Sequence, residues 1–247
     1  MADRKRIGIV FALHEERRGF ERVMSGARVA GRIVGDLRWW SAAGIEILAA
    51  VSGVGAERSR RATEAVLDGG VDAVICAGLA AGLDAELRVG DVLVARRVLG
   101  DAEPVECCQI GRPASPMLEL GYSVREGDLV SCGSVVRTPA DKVEIRGRTG
   151  ASALDMESYA AGLVCRERGV PFAAVRSISD TVDDALPREV EALTAAGNAI
   201  SRLAIVLSSP REWPALIRLR RQAGVAAENL GDFLGFQIVG IGTGATP

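Results

Sequence analysis

The chain has 247 residues and a formal net charge of −2, with 48% apolar and 25% charged residues. Those totals exclude an intrinsically disordered chain and leave ample material for a core. There is no basic surplus to suit a nucleic-acid partner, and at 4% aromatics are too scarce for a base-stacking platform.

Length favours a single α/β unit. The five cysteines, Cys76, Cys107, Cys108, Cys132 and Cys165, form no C-x-x-C pair, and an odd number argues against a disulfide framework. With His14 the only histidine, a Cys/His zinc site has poor raw material, so neither metal nor cofactor is expected. The N-terminus runs straight into a strand-like segment without a signal-peptide core, and no apolar run reaches the roughly 18–20 residues of a membrane span. The expected compartment is the reducing cytoplasm.

In chain order, "RIGIVFA" from Arg6 reads as a buried strand, and "HEERRGFERVM" as a helix with Phe20, Val23 and Met24 on one face. "RIVGDLRWWSAAGIEILAAVS" breaks at Gly35 and Gly44 like an antiparallel pair. "AERSRRATEAVLDGG" is a helix stopped at Gly69 and Gly70, and "DAVICAGLA" and "GDVLVARRVL" are further strands. The stretch from Asp101 to Glu126, with Pro104, Pro113 and Pro116, is irregular. "DLVSCGSVV" reads as a strand, "TPADKVEI" as a helix capped by Thr138 with Pro139 first, and "ALDMESYAAGLVC" as a helix. "PFAAVRSIS" is a buried strand, and 187–207 a long amphipathic helix. This alternation predicts a single-domain three-layer α/β/α sandwich with a central mixed sheet over residues 1–207.

Residues 208–247 differ. "REWPALIRLRRQAG" sets Trp213, Leu216 and Ile217 against Arg218, Arg220 and Arg221, a basic amphipathic helix. It is expected to pack on the domain with a solvated basic face, the sharper alternative being contact with an anionic membrane surface or an amphiphilic substrate. The glycine-rich "FQIVGIGTGATP" is expected to be a loose end.

"VSGVGAERSRRA" sits where a dinucleotide fingerprint belongs, but carries only Gly53 and Gly55, with Arg58 at the third position. It reads as a tight strand-to-helix turn. The small residues Ala77 to Ala81 after a buried strand let a ligand approach the backbone at the sheet's carboxyl edge. Acids fall beyond three strand ends: Glu15 and Glu16, Asp155 and Glu157, and Asp180. Each alone has a plain explanation as a first-turn residue or a cap, as do Asp183 and Asp184. Together on one edge they would form a site.

"IGIVFALHEE", "VSGVGAER", "CAGLAAGLDAELRVGDVLVA", "LDMESYAAGLVC" and "VPFAAVRSISDTVDD" resemble, in that order, the motifs of the nucleoside phosphorylase and nucleosidase superfamily. The nearest resemblance is to 5′-methylthioadenosine/S-adenosylhomocysteine nucleosidases. It implies cleavage of an N-ribosidic bond to a purine. Asp180 matches the acid that protonates the leaving base, Glu157 the acceptor for the ribose hydroxyls, Met156 a residue packed on the sugar, and Glu16 the carboxylate that activates water. The resemblance also implies a homodimer, with the neighbouring subunit closing the site around the 5′ substituent.

The chain departs from that pattern in places. Leu79, Ala80, Ala81 and Gly82 stand where the hydrolases usually have Ser-Ala-Gly-Gly, and Val136 and Arg137 where an aromatic stacks on adenine and backbone reads its edge. His14, in place of a glutamate, is expected at the rim. Phosphorolysis needs cationic or N–H donors for phosphate. Cys76 replaces the arginine that many phosphorylases carry, and "FALHEE" replaces their phosphate loop, so hydrolysis releasing adenine is favoured. Arg17, Arg18 or Arg137 could still supply charge. The alternatives are phosphorolysis, including that of a hopanoid-associated adenosyl-lipid, and a non-catalytic nucleoside-binding module.

Overall fold

A computed structural model of the chain describes residues 5–26, 37–42, 44–109, 121–195 and 210–243. Nine strands form one mixed sheet: β1 (Arg6–Phe11), β2 (Arg38–Ala42), β3 (Ile45–Val51), β4 (Ala73–Gly82), β5 (Val92–Leu99), β6 (Val105–Glu106), β7 (Val124–Ser131), β8 (Ala153–Asp155) and β9 (Phe172–Asp180). The helices are α1 (His14–Val23), α2 (Ala56–Asp68), α3 (Pro139–Thr149), α4 (Ser158–Glu167), α5 (Glu189–Ala195) and α6 (Trp213–Thr243).

The strand order is β2-β3-β1-β4-β8-β7-β5-β6, and β9 pairs with both β4 and β5. Pairing therefore closes a ring, β4–β8–β7–β5–β9, on one side of an otherwise open sheet. The period-two pleat divides the apolar residues of the central strands between two cores. Val10, Leu48, Val74 and Cys76 point to the α2 and α4 side with Val66, Val164 and Cys165. Ile9, Phe11, Ile47 and Ile75 point to the α1 and α6 side with Phe20, Leu230, Phe233 and Leu234. The sheet is thus covered on both faces, the three-layer sandwich expected.

Glycines set the closeness of these layers. A Cβ on Gly8 would lie 2.3 Å from Val66 Cγ1, so α2 rests directly on β1. A Cβ on Gly19 would lie 2.2 Å from the Ala227 carbonyl oxygen, and one on Gly231 2.3 Å from the Gly19 carbonyl carbon. The backbones of α1 and α6 meet at that crossing.

Three sequence expectations need correcting. First, "ALDMESYAAGLVC" is not one helix: Ala153–Asp155 is a strand clamped between β4 and β7, and α4 begins only at Ser158. A three-residue strand is too short to show its period. Second, the strand expected over 128–136 runs from Val124 to Ser131, because Val92 pairs with Val124 and pulls the polar Arg125, Glu126 and Gly127 into the sheet. Third, the glycine-rich tail is helical through Thr243. Leu230, Phe233, Leu234 and Ile238 keep one buried stripe running past Phe236.

The helix expected over 187–207 is described as Glu189–Ala195; its remainder, like the 207/208 boundary, lies outside the described residues. The five cysteines are free thiols. Among the described residues no helix is long and apolar enough to cross a membrane, and no His/Cys/Asp/Glu group is arranged to hold a metal.

Candidate active site

Strands β1, β3, β4, β8 and β9 deliver the candidate residues to one region, and the glycine turns let them meet. After β1 the chain enters α1 with Leu13 as N-cap in extended backbone and Glu16 in the first turn. Glu16 folds back, as the acidic half of a capping box does, and Oε2 accepts the Ala12 and Leu13 N–H groups at 2.8 Å each. Its Oε1 accepts the Leu79 N–H of β4 at 3.0 Å. Glu16 is therefore tied at once to the turn after β1 and to β4. Glu15 and His14, its neighbours, are exposed, His14 lying at the surface as a rim residue would.

Strand β8 runs antiparallel to β4, so the chain beyond Asp155 returns toward Leu79 and brings Glu157 to the same place. Glu157 is the N-cap of α4 by position, yet its carboxylate makes no capping bond. Its Oε1 instead accepts the Gly55 N–H at 2.7 Å. Gly53 and Gly55 lie at φ +82° and +108°, which is why this turn carries glycine. The incomplete fingerprint thus aims an N–H at a carboxylate of the chain itself.

Asp155 is the internal counter-ion. Its Oδ2 accepts Arg176 Nε at 2.7 Å and the Ser158 N–H at 3.0 Å, while the Ser131 hydroxyl donates to Oδ1. The expectation that Asp155 caps the helix is met only in part: it serves α4 from the end of β8, two residues before the N-cap. Arg176, on β9, also donates from Nη2 to the Ser158 hydroxyl at 2.8 Å and to Cys76 Sγ at 3.2 Å. Its Nη1 is buried and makes no hydrogen bond. A Cβ on Gly78 would lie 2.4 Å from that Nη1 and 3.1 and 3.2 Å from the two Glu16 oxygens, so only glycine admits both groups.

Asp180 closes the site on the other side. Strand β9 is parallel to β4 until a bulge, after which Asp180, not Ser179, stands opposite Ala81. Asp180 Oδ2 accepts Lys142 Nζ at 2.6 Å, and the Ser179 hydroxyl lies 2.7 Å from Oδ1. Along β4, Leu79 (bonded to Glu16) and Ala81 (opposite Asp180) are two residues apart, about 7 Å of strand. Glu16 and Asp180, both buried, are thus anchored to β4 at points two residues apart.

Burial pushes the Glu157 carboxyl up to about 7, helped by the Asp155 charge and opposed by Arg176 and the Gly55 N–H. Burial likewise raises Glu16 against its backbone N–H donors and Arg176. Asp180 is raised by burial against the pull of Lys142 and Ser179. Arg176 loses hydration on burial, but the surrounding groups, Cys76, Asp155, Glu157 and Glu16, raise its pKa.

Of the other candidates, Leu79 is half-buried, Ala80 and Ala81 are buried on β4, and Met156 is half-buried between β8 and Glu157. Val136 is half-buried against the cluster of Ala81, Leu83, Val130, Ala151 and Leu154. Arg137 is half-buried; its carbonyl accepts the Leu186 N–H at 2.9 Å. Sequence reasoning missed Arg176, Lys142 and Ser179. A charge inside the apolar run "PFAAVRSIS" was a readable signal for Arg176.

The phosphorylase superfamily model matches residues 6–106 and 101–209. The chain belongs to that superfamily. It is 30% identical over 173 residues to a 5′-methylthioadenosine/S-adenosylhomocysteine nucleosidase of Tolumonas auensis, covering 60% of this chain and 74% of the relative. An aminodeoxyfutalosine nucleosidase of Helicobacter pylori is 27% identical over 161 residues, 56% of this chain and 69% of the relative. Among solved structures, a Colwellia psychrerythraea 5′-methylthioadenosine/S-adenosylhomocysteine nucleosidase in complex with adenine superposes with a TM-score of 0.73 at 18% identity. It covers 96% of this chain and 95% of that one. At that identity the likeness establishes the fold.

Proposed function

We propose that the protein hydrolyses the N-ribosidic bond of a 5′-substituted adenosine and releases adenine, as the names of its relatives suggest. The observation that carries this reading is the pair of buried carboxylates, Glu16 and Asp180, set about two residues apart along β4 with Glu157 beside Glu16. The bond breaks through a ribosyl cation and a purine anion, so the reaction needs a proton at the base and electron density near the sugar. Asp180, whose carboxyl burial raises against the pull of Lys142, is the proposed proton donor. Glu157 accepts from the ribose hydroxyls, with Met156 beside the sugar. Among the described residues Glu16 Oε1 accepts one N–H, which leaves a lone pair for the attacking water. A positioned acid or base typically contributes about 10²–10⁴-fold.

Electrostatics favours water over phosphate as the nucleophile. An anion at this place would meet Glu16 and Glu157, and the Arg176 charge is already offset by Asp155. Arg17 is spent on Glu21 at 3.1 Å, and Arg18 is exposed. Leu79, Ala80, Ala81, Val136 and Arg137 remain the proposed substrate wall. The free thiols support a reducing, cytoplasmic compartment. A homodimer whose neighbouring subunit closes the site around the 5′ substituent belongs to the same proposal. The test is chromatographic detection of free adenine from several 5′-substituted adenosines, with and without phosphate. Release that depends on phosphate would replace hydrolysis by phosphorolysis, and release from none would leave a nucleoside-binding module.

A further inference from the structure

Lys142 belongs to a helix that reads as solvated, "TPADKVEIRG", yet its side chain is fully buried while its neighbour Val143 is 59% exposed. Its ammonium makes three hydrogen bonds: to Asp180 Oδ2 at 2.6 Å, the Thr181 carbonyl at 2.6 Å and the Asp184 carbonyl at 3.0 Å. All three acceptors lie on Asp180 or the turn that follows it. An ammonium has three donors, so none remains for a ligand. Among the described residues the other Asp180 oxygen, Oδ1, has the Ser179 hydroxyl alone, which also lies 3.2 Å from the Ala80 carbonyl.

We propose that Lys142 is a positioning residue for the acid step. It occupies Asp180 Oδ2, leaving Oδ1 as the oxygen that carries the transferable proton, and it stabilises the carboxylate that remains after transfer. In that step the Oδ1–H bond breaks, an N–H bond forms on the departing base, and the electron pair stays on Oδ1. The Ser179 hydroxyl then swings from the Ala80 carbonyl to donate to the new carboxylate. The charge created on Asp180 is balanced by a cation already in place. This inference rests on the hydrolase reading and deepens it.

The charged groups facing Asp180 are Lys142 from α3 and Asp184 from the turn after β9. Asp184 is itself faced by Arg218 of α6 at 3.6 Å. Lys142 pulls the Asp180 carboxyl down and Asp184 pushes it up, so removing the ammonium leaves Asp180 a weaker acid.

The experiment compares wild type with Lys142→Met on 5′-methylthioadenosine and on 4-nitrophenyl riboside, whose leaving group needs no protonation. Turnover of the nucleoside is expected to fall about 100-fold with KM nearly unchanged. The alkaline limb of its pH profile should move up by about one unit or more. Turnover of the nitrophenyl riboside should stay within about threefold, since the ribose grip and Glu16 are untouched. Equal loss on both substrates, or an unmoved alkaline limb, would reduce Lys142 to a structural role and overturn the proposal. Lys142→Gln, which keeps an N–H without the charge, serves as the second variant if the methionine variant does not fold. An infrared titration of the Asp180 carboxyl, assigned by its loss in Asp180→Asn, reads the same shift without turnover. A wild type that cleaves neither substrate would sink the hydrolase reading, while an unshifted infrared midpoint would sink the role of Lys142.

Discussion

The ammonium of Lys142 lies 2.6 Å from the carboxylate of Asp180, and side-chain exposure is 0% for the lysine and 5% for the aspartate. Removing the Asp180 side chain leaves a buried ammonium one hydrogen-bond acceptor short, at a cost of about 1–3 kcal/mol. Asp180→Ala should therefore lose stability of that order in urea denaturation. Asp180→Asn keeps an amide oxygen for Lys142, so it should fold with a near-normal Tm while losing nearly all turnover of a nucleoside. Near-normal activity in the asparagine variant would remove the general-acid role.

Glu157 gives a pH dependence with a definite sign. Its folded-state pKa is about 7, against 4.5 for the ordinary side chain, so between those values the folded state binds a proton that the unfolded chain does not. Stability from this group is present below about pH 4.5 and is lost as pH rises through about 7, in all by about 3 kcal/mol. Urea denaturation at pH 5 and pH 8 should show a smaller loss in Glu157→Gln than in wild type. Over the same interval KM for a nucleoside should rise as pH falls, because protonation replaces the charged acceptor for the ribose hydroxyls by a weaker, neutral one.

Gly78 supplies a steric test. The Cβ of Gly78→Ala would sit 2.4 Å from Arg176 Nη1 and about 3 Å from both Glu16 oxygens, and neither side chain is a loose end. Overpacking of this kind costs about 1–3 kcal/mol. Turnover should fall at least about tenfold through displacement of Glu16. Wild-type turnover in Gly78→Ala would mean that Glu16 is placed by something else.

The crossing of α1 and α6 makes a second steric prediction away from the site. Gly231→Ala would press a methyl group on the Gly19 backbone, within 2.3 Å of its carbonyl carbon. We expect a loss of about 1–3 kcal/mol in stability, with activity following, since Glu16 lies one turn before Gly19 on α1.

Much of this arrangement was legible before the fold was known, and the residues show why the rest was not. Strands β1 and β9 are apolar runs with clear ends, and Glu16 and Asp180 at those ends fell where a sheet presents ligands. Arg176 carries a readable signal: a charge in a buried strand must be paired, and Asp155 is its partner. That pair also explains why acids are tolerated at the mouth of α4. Lys142 was hidden for a deeper reason. Hydropathy places Val143 inside and Lys142 outside, but helix phase does the opposite, and only the position of Asp180 rewards it. The stripe on α6 was missed because glycines at its end resemble a tail, whereas Gly231 and Gly235 lie against α1.

The most direct test of the account is the fate of water oxygen. In 18O-water containing phosphate, wild type acting on 5′-methylthioadenosine should yield adenine and a free methylthioribose that carries one 18O, read by mass spectrometry. A sugar 1-phosphate without the label, or no adenine at all, would contradict the account.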